Sequence, residues 1–262
     1  MAIDAETRAL ALEREYRQCA KSFKHFFQSH WKIELPAQGS FGLPDVRPEQ
    51  LETAEVFQES KRVVVLKARQ IGWSTIVTAY LFWKAWFHIG QTCLVFSKKE
   101  DPDALEILAK LRFGFDNLPQ WMKDRGPKLK RATQTRIEFD NGSSVESDAP
   151  SDNPGRGRTL QLLVLDEFGA FPDPEGAFGS VQPAIEWGQF FVIGNADRAH
   201  SKFHKLYKDA KAGKNPFKAL FYSWRVVAGR DDAWREEQGS SLSPAQLASQ
   251  YPNDDEECWV AA

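Results

Sequence analysis

The sequence predicts an α/β fold in which a mostly parallel central sheet is flanked by helices. Short continuous apolar runs, strongest at residues 63–66 and 160–165, are typical of strands that are buried on both faces. Helical stretches separate these runs, and strands that alternate with helices form parallel sheets covered on both sides. A length of 262 residues suits one large domain, or a domain with a small appendage.

The composition excludes several classes of protein. With 34 basic and 36 acidic residues the formal net charge is −2, so the chain is no histone-like polycation and any nucleic-acid contact depends on local basic patches. Cys19, Cys93 and Cys258 form no C-x-x-C pair, and the five histidines have no metal-ligand spacing, which argues against a disulfide framework or a zinc knuckle. No run spans a bilayer and the acidic N-terminus does not match a signal peptide, so we expect a cytosolic protein.

The elements follow one another in a regular order. Residues 3–30 lack Gly and Pro and have a helical period, a turn-rich stretch follows, and a second helix opens at Pro48 and runs to about residue 61. The predicted strands are 63–66, 91–97, 137–139, 144–146, 160–165, 190–193 and 219–224. The predicted later helices are 76–87, 103–115 and 201–212. Asn141-Gly142 predicts a type I′ hairpin turn.

The segment KARQIGWST, residues 67–75, joins the first buried strand to a helix. A phosphate-binding loop needs a glycine that lets the backbone wrap the anion, amide N–H groups at a helix N-terminus, and a hydroxyl for Mg²⁺. Gly72 and Ser74 match the second glycine and the hydroxyl of G-x-x-x-x-G-K-[ST], but Lys67 replaces the first glycine and Trp73 replaces the lysine. Taken alone, the segment fits an ordinary capped strand-to-helix turn better.

The strand at residues 160–165 ends in Asp166-Glu167. An apolar strand with this ending lets the Asp hold Mg²⁺ through water while the Glu orients the attacking water. Alone, it is equally a buried strand with a solvated acidic end. The two motifs together, in this order and with a strand between them, indicate a nucleotide hydrolase.

Three segments resemble the ATPase domain of large terminase subunits, the DNA-packaging motors of tailed bacteriophages. They are KARQIGWST at 67–75, NPGRGRT at 153–159 and LDEF at 165–168. The resemblance implies a P-loop NTPase fold, ATP and Mg²⁺ as cofactors, and hydrolysis that moves double-stranded DNA into a procapsid. Some members carry the loop lysine at the start of the motif, as Lys67 is here, so Trp73 does not depart from this family's pattern.

The resemblance implies a set of nucleotide contacts. Gln50, in RPEQ at 47–50, matches an adenine-contacting glutamine, and Lys67 and Arg69 match phosphate-binding cations. The ATP-binding loop comprises Lys67, Ala68, Arg69, Gln70, Ile71, Gly72, Trp73, Ser74 and Thr75. Ser74 and Asp166 would position Mg²⁺.

The remaining implied roles concern catalysis and coupling. Glu167 matches the residue that orients water, and Arg156 matches an arginine finger that reaches the ATP of a neighbouring subunit, with Arg158 as the other candidate. Asn195, in FFVIGNA at 190–196, lies where the family's coupling motif senses the γ-phosphate, although members often have Ser-Thr or Thr-Thr-Pro there.

The resemblance also implies a domain plan and partners. Residues 1–60 would form a helical or lid segment, 61–250 the ATPase core, and 251–262 the start of a linker toward a nuclease domain that we expect to be missing. Nuclease activity is therefore not expected. The expected partners are double-stranded DNA, the portal protein, the small terminase subunit and further copies in a ring, with the isolated chain a monomer. Its expected location is the host cytoplasm, transiently at the procapsid portal.

Two other interpretations stay open. A helicase-like DNA translocase of another group predicts arginine motifs after residue 200, for which Arg225 and Arg230 are weak support. A catalytically dead nucleotide- or DNA-binding module would explain Trp73. Of the basic patches, residues 123–136 are the better candidate for DNA phosphates, because the lysines between 202 and 214 recur every three residues and spiral around a helix.

Overall fold

The structure, a computed structural model, describes residues 5–35, 39–97, 105–148 and 159–259. The helices are α1 (Ala5–Lys21), α2 (Phe23–Ser29), α3 (Pro48–Glu59), α4 (Trp73–Phe87), α5 (Leu105–Asp116), α6 (Gln120–Arg125), α7 (Pro174–Val181), α8 (Lys202–Lys211), α9 (Asp232–Gly239) and α10 (Pro244–Gln250). The strands are β1 (Ile33–Leu35), β2 (Ser40–Gly42), β3 (Arg62–Lys67), β4 (Thr92–Phe96), β5 (Leu129–Ala132), β6 (Arg136–Phe139), β7 (Ser144–Asp148), β8 (Leu162–Leu165), β9 (Gln189–Gly194) and β10 (Lys218–Tyr222). In the described part of the chain, no helix has the length and apolar character needed to cross a membrane.

An eight-stranded sheet has the order β10-β3-β9-β8-β4-β7-β6-β5, and β1 and β2 form a separate antiparallel pair. The pairs β10–β3, β3–β9 and β8–β9 are parallel, whereas β5–β6 and β6–β7 are antiparallel. Every residue of β8 and β9 is buried, as in parallel strands covered on both faces. The predicted α/β class with a mostly parallel central sheet is confirmed.

The chain divides into two compact units. The first comprises Met1–Glu59, Ser74–Cys93 and Leu105–Glu146. Its interior is aromatic, and the rings of Phe26 and Phe82 lie 5.9 Å apart. The bulk of α4 supplies much of this core, since most of its side chains are buried.

The second unit comprises Ser60–Trp73, Leu94–Ala104 and Ser147–Ala262. A hydrophobic cluster packs the parallel strands against α7 and α8 through Phe178, Phe190 and Phe203. The residues after α10 join this cluster, because Cys258 and Trp259 are buried in it. The division predicted at residues 60 and 250 stays a prediction.

Several local features differ from the expectations. The helix predicted over 3–30 is interrupted at Ser22, whose hydroxyl accepts a hydrogen bond from the His25 N–H and so begins α2. The type I′ turn is wrong: Gly142 has φ +81° but Asn141 is not in the left-handed region, and type I′ requires both. The Gly142 N–H instead donates to the Phe139 carbonyl, which closes an ordinary β-turn.

Candidate active site

The second unit brings the ends of neighbouring strands together at one edge of the sheet. Lys67 is the last residue of β3, Asp166 and Glu167 follow β8, and Asn195 follows β9. Because β3, β9 and β8 are adjacent and parallel, their carboxyl ends lie at the same edge. Open α/β sheets bind ligands at this edge.

Lys67, Glu167 and Asn195 form a connected group, which we call the sheet-edge cluster. The Lys67 Nζ donates to Glu167 Oε1 at 2.9 Å and to Asn195 Oδ1 at 3.2 Å. The Asn195 Nδ2 donates to the Lys67 carbonyl at 3.1 Å. The Lys67 side chain is only 5% exposed and that of Glu167 is 35% exposed. A buried ammonium requires such partners, so the three residues are held as a unit.

The backbone at Glu167 is strained. Its φ of +54° lies in the left-handed region, which costs a residue with a Cβ about 1–2 kcal/mol. The Glu167 N–H donates to Asp166 Oδ1 at 3.1 Å, and the buried Asp166 is fixed by its own N–H, which donates to the Phe96 carbonyl at 2.8 Å. Backbone strain of this kind is concentrated at functional sites, and here it sets the direction of the Glu167 carboxylate.

A glycine allows the turn after Glu167 to approach the end of β9. A Cβ on Gly169 would lie 2.4 Å from the Asn195 carbonyl oxygen and 3.2 Å from the Asp197 Cβ. The first distance is too short for any Cβ, and the second is a tight contact. The absence of a side chain at Gly169 therefore lets Glu167 and Asn195 reach the same lysine.

The loop after β3 also has an unusual backbone. Gln70 and Gly72 have φ of +56° and +77°, and both residues are exposed. Successive turns of this kind make amide N–H groups converge on a concave surface that suits an anion. Phosphate binding by the loop stays a prediction.

Residues late in the sequence of the second unit hold this loop in place. The Arg69 N–H donates to the Gln250 carbonyl at 2.8 Å, and the Arg69 Nη1 donates to Gln250 Oε1 at 3.1 Å. Arg230 Nη2 donates to the Gln70 carbonyl at 3.1 Å. Sequence reasoning missed Gln250 and treated Arg230 as weak support for a helicase. No local pattern identifies them, because the contacts span 160 residues or more.

Trp73, which stands where the general pattern has lysine, is a core residue. Its side chain is buried, and its ring lies 4.5 Å from that of Tyr222. The cation of this site accordingly comes from Lys67, at the other end of the loop. The burial of Trp73 explains why a lysine is not needed at this position.

The other predicted residues fall elsewhere or outside the described part. In the first unit Gln50 is buried, and its Oε1 accepts a hydrogen bond from the Arg47 N–H at 3.2 Å, which caps α3. Ser74 and Thr75 are half-buried in the first turn of α4. The adenine and Mg²⁺ roles stay predictions. Arg156 and Arg158 lie outside the described residues.

The basic patch predicted at residues 123–136 lies on α6, β5 and β6 of the first unit. Lys130 and Arg131 are exposed on β5, the outermost strand of the sheet order. Arg136, in contrast, pairs with Glu138 at 2.5 Å and with Glu146 at 2.6 Å. Part of the patch is therefore neutralised within the protein.

β3, the loop after it and the start of α4 form a strand–loop–helix, and β8, which β9 separates from β3 in the sheet, is followed by Asp166-Glu167. Both are features of the P-loop NTPase fold. No protein-family model matches the sequence. Among solved structures, the fold is that of the ATPase domains of phage large terminases. The resemblance noted in the sequence is thus confirmed at the level of the fold.

The likeness can be put in numbers. The ATPase domain of the Thermus phage P74-26 large terminase matches with a TM-score of 0.61 and 17% identity over 74% of this chain and 88% of that domain. The HK97 bacteriophage large terminase matches with a TM-score of 0.63 and 14% identity over 91% of this chain and 50% of that chain. A thermophilic-bacteriophage large terminase in complex with ADP matches with a TM-score of 0.57 and 14% identity, over 79% and 52%. This chain spans about half of the latter two.

Proposed function

We propose that this chain is an ATP-hydrolysing motor domain that drives viral double-stranded DNA into a procapsid. The observation that carries the proposal is the sheet-edge cluster, in which the lysine that ends β3, a glutamate after β8 and an amide after β9 meet. The fold shared with large terminase ATPase domains supports the same function, and one of these was solved with ADP.

The loop and the cluster have separate roles in this proposal. The N–H groups of residues 70–75 would cradle the phosphates, since those of Ala68 and Arg69 already donate to the Tyr222 and Gln250 carbonyls. The side chains of Lys67 and Arg69 would supply positive charge. Glu167 holds the attacking water, because a carboxylate at this position accepts its proton or orients it. Asn195, bonded to Lys67, responds when the lysine changes partner.

The ion pair of Lys67 and Glu167 suggests a sequence of events. The Lys67 ammonium lies 2.9 Å from the Glu167 carboxylate and neutralises it. A bound phosphate group offers the ammonium a second anionic partner, so the lysine turns toward it and the carboxylate is released to hold water. Nucleotide binding would then itself prepare Glu167 for catalysis, and Asn195 would transmit the change.

Asp166 and Ser74 would hold a magnesium ion in this proposal. Mg²⁺ prefers carboxylate and hydroxyl oxygens with several retained waters. Asp166 offers a buried carboxylate at the end of β8, and Ser74 offers a hydroxyl at the start of α4. When bound, the ion would neutralise charge on the phosphates. Gln50 would contact the adenine, and its amide group has the donor and acceptor that the adenine edge needs.

Steady-state hydrolysis tests the proposal directly. Glu167→Gln keeps the size and a hydrogen-bond acceptor for Lys67 but loses the charge, so turnover should fall by about 10²–10⁴-fold while ATP still binds. Glu237→Gln, a change at an exposed glutamate of α9, is the matched control and should keep wild-type turnover. A wild-type chain that binds ATP without hydrolysing it, alone or with DNA and procapsids, would indicate the dead module instead.

The assembly is the second part of the proposal. Arg156 would act on the ATP of a neighbouring copy in a ring formed with the portal protein, the small terminase subunit and DNA, so the isolated monomer should be slow. Arginine fingers supply ~10³–10⁵ in rate. Arg156→Ala and Glu167→Ala subunits, each inactive alone, should regain activity when mixed under conditions of assembly. If the mixture does not hydrolyse ATP while assembly stimulates the wild type, the finger is Arg158 or an arginine that acts within one subunit.

A packaging motor should hydrolyse ATP faster when procapsids and linear duplex DNA are both present, and the DNA should become protected from added nuclease. A helicase-like translocase should instead respond to DNA alone.

A further inference from the structure

A second group of polar side chains lies in the first unit, around the break between α1 and α2. Glu15 and Cys19 are four residues apart on α1 and therefore share one face of that helix. His25 lies in α2, and His30 caps its C-terminus. One donor atom from each of the four residues lies within 4.8 Å of all the others. We call this group the helix-break cluster.

The contacts converge on one carboxylate oxygen. His25 Nε2 and His30 Nε2 each lie 2.7 Å from Glu15 Oε1, and the Cys19 Sγ lies 3.7 Å from the same atom. We propose that the helix-break cluster binds a divalent transition-metal ion, with zinc the best match, through the Cys19 thiolate, the two imidazoles and the Glu15 carboxylate. Thiolate, imidazole and carboxylate are the three ligand types that zinc uses in proteins.

The distances are close to those of a tetrahedral site. Zinc bonds of about 2.0–2.3 Å place the donor atoms about 3.3–3.8 Å apart. The Cys19–Glu15 separation of 3.7 Å already fits. The two histidine–glutamate separations of 2.7 Å must open by about 0.6 Å, which needs only small rotations of these partly exposed side chains.

The surroundings orient the ligands. The Trp83 indole N–H donates to the Cys19 carbonyl at 2.7 Å, and the Ser22 hydroxyl accepts from the His25 N–H at 3.1 Å, so the backbone on both sides of the break is fixed. Gln18 Nε2 lies 3.2 Å from His25 Nδ1. When Nε2 binds a metal, Nδ1 must carry the proton. The Gln18 amide, once rotated, would accept a hydrogen bond from this Nδ1–H through its Oε1. Cys19 is buried while the other three ligands are half-exposed, which gives the ion a path from solvent.

Metal binding would close the break between the two helices. The site ties α1 to α2 across Ser22, and the thiol proton leaves to solvent as the ion enters. The proposal does not depend on ATP hydrolysis, since none of the four residues belongs to the sheet-edge cluster. Its expected consequence is greater thermal stability of the N-terminal helices.

The test uses the full chain without a histidine tag, stripped with a chelator. Zinc should bind at one ion per chain, and at a hundredfold excess over Kd it should raise Tm by roughly 5 °C. Cobalt(II), the spectroscopic probe, should give a thiolate charge-transfer band and the intense visible bands of a tetrahedral site.

Cys19→Ser should abolish the thiolate band and the rise in Tm. Cys258→Ser, a buried cysteine outside the cluster, is the matched control and should keep both. His25→Gln, at a half-exposed position that tolerates polar groups, should weaken zinc binding at least tenfold while the far-ultraviolet spectrum stays native. The proposal is overturned when the folded wild type binds no zinc, or when Cys19→Ser and His25→Gln bind it as tightly as Cys258→Ser does.

Discussion

Two lysine–carboxylate clusters of the second unit contain similar residue types but differ in the burial of the lysine and in its partners. In the sheet-edge cluster, Lys67 is buried and contacts a glutamate 100 residues away. In what we call the C-terminal cluster, Asp255 accepts hydrogen bonds from Lys211 Nζ at 2.5 Å and from the Tyr207 hydroxyl at 2.9 Å. There the Lys211 side chain is 50% exposed.

The exposure of the lysine determines how much each ion pair contributes to stability. Lys211 remains hydrated, so its pairing with Asp255 adds little to stability. The Lys67 ammonium is desolvated by burial, and its charge is tolerated only because Glu167 and Asn195 compensate for the lost hydration. The buried pair is therefore sensitive to any change of partner, and under the proposed function a phosphate would be such a change.

The largest effect is expected from removing the buried charge. Lys67→Met keeps most of the side-chain length but leaves Glu167 without its cation, and charge-assisted bonds to phosphate are lost. Nucleotide affinity should fall about 100-fold. Titration with a fluorescent ATP analogue measures it.

Trp73→Phe is the control for that experiment, since it keeps an aromatic ring in the core at the other end of the loop. We expect near-normal affinity. Equal losses in the two variants would mean that the loop responds to general disturbance and that Lys67 has no special role.

The next largest effect is expected in the free energy of unfolding, which should change in opposite directions for alanine substitutions at Gly169 and Gly179. Gly169→Ala places a methyl group against the Asn195 carbonyl and should destabilise the protein by about 1–3 kcal/mol. Gly179→Ala, in α7 where no atom lies within 4 Å of the new Cβ, should stabilise it by up to about 1 kcal/mol. Urea denaturation measures both. The same sign for the two variants would contradict the close approach at Gly169.

A smaller effect is expected from the amide of the sheet-edge cluster. Asn195→Ala removes the acceptor for the Lys67 ammonium and the donor to the Lys67 carbonyl. Loss of one partner of a charged group costs roughly 1.4 kcal/mol, which corresponds to tenfold slower turnover. Single-turnover hydrolysis measures it. A variant as fast as wild type would exclude Asn195 from the response to nucleotide.

The smallest effect is expected in the C-terminal cluster, and it should depend on pH. Burial alone raises the pKa of the Asp255 carboxyl, but hydrogen bonds from Lys211 and Tyr207 outweigh it and hold that pKa below its usual range. A lowered pKa stabilises the folded state above the unfolded pKa, and the contribution is lost as pH falls through the folded value.

Asp255→Asn should accordingly cost about 1 kcal/mol at neutral pH, with turnover unchanged. The difference from wild type should shrink as the solution becomes acidic, as followed by denaturation over that range. A cost that is independent of pH would mean that the side chain acts by packing and not by charge.

How far the sequence predicts this molecule depends on the range of each interaction. Strands β3, β8 and β9 are evident because burial on both faces produces apolar runs. The short helices α7, α9 and α10 were missed, since seven or eight residues carry too little periodicity. The break at Ser22 was missed because the helical pattern continues through it.

The candidate site divides in the same way. Lys67 ends β3, Glu167 and Asn195 come after β8 and β9, and the resemblance of the surrounding motifs to terminase motifs singles them out. Arg230 and Gln250 act through the path by which the chain returns to the loop, and that path is a property of the tertiary fold. The helix-break cluster lies within sixteen residues and was still missed, because its ligands face one another only after the chain bends at Ser22.

The buried Trp73 has a consequence for how such proteins are recognised. A lysine at that position would have to leave the hydrophobic core or be buried there without a partner, so Trp73→Lys does not simply restore the common loop. A search pattern that demands lysine before the hydroxyl residue will pass over every chain that, like this one, carries its cation at the end of the strand.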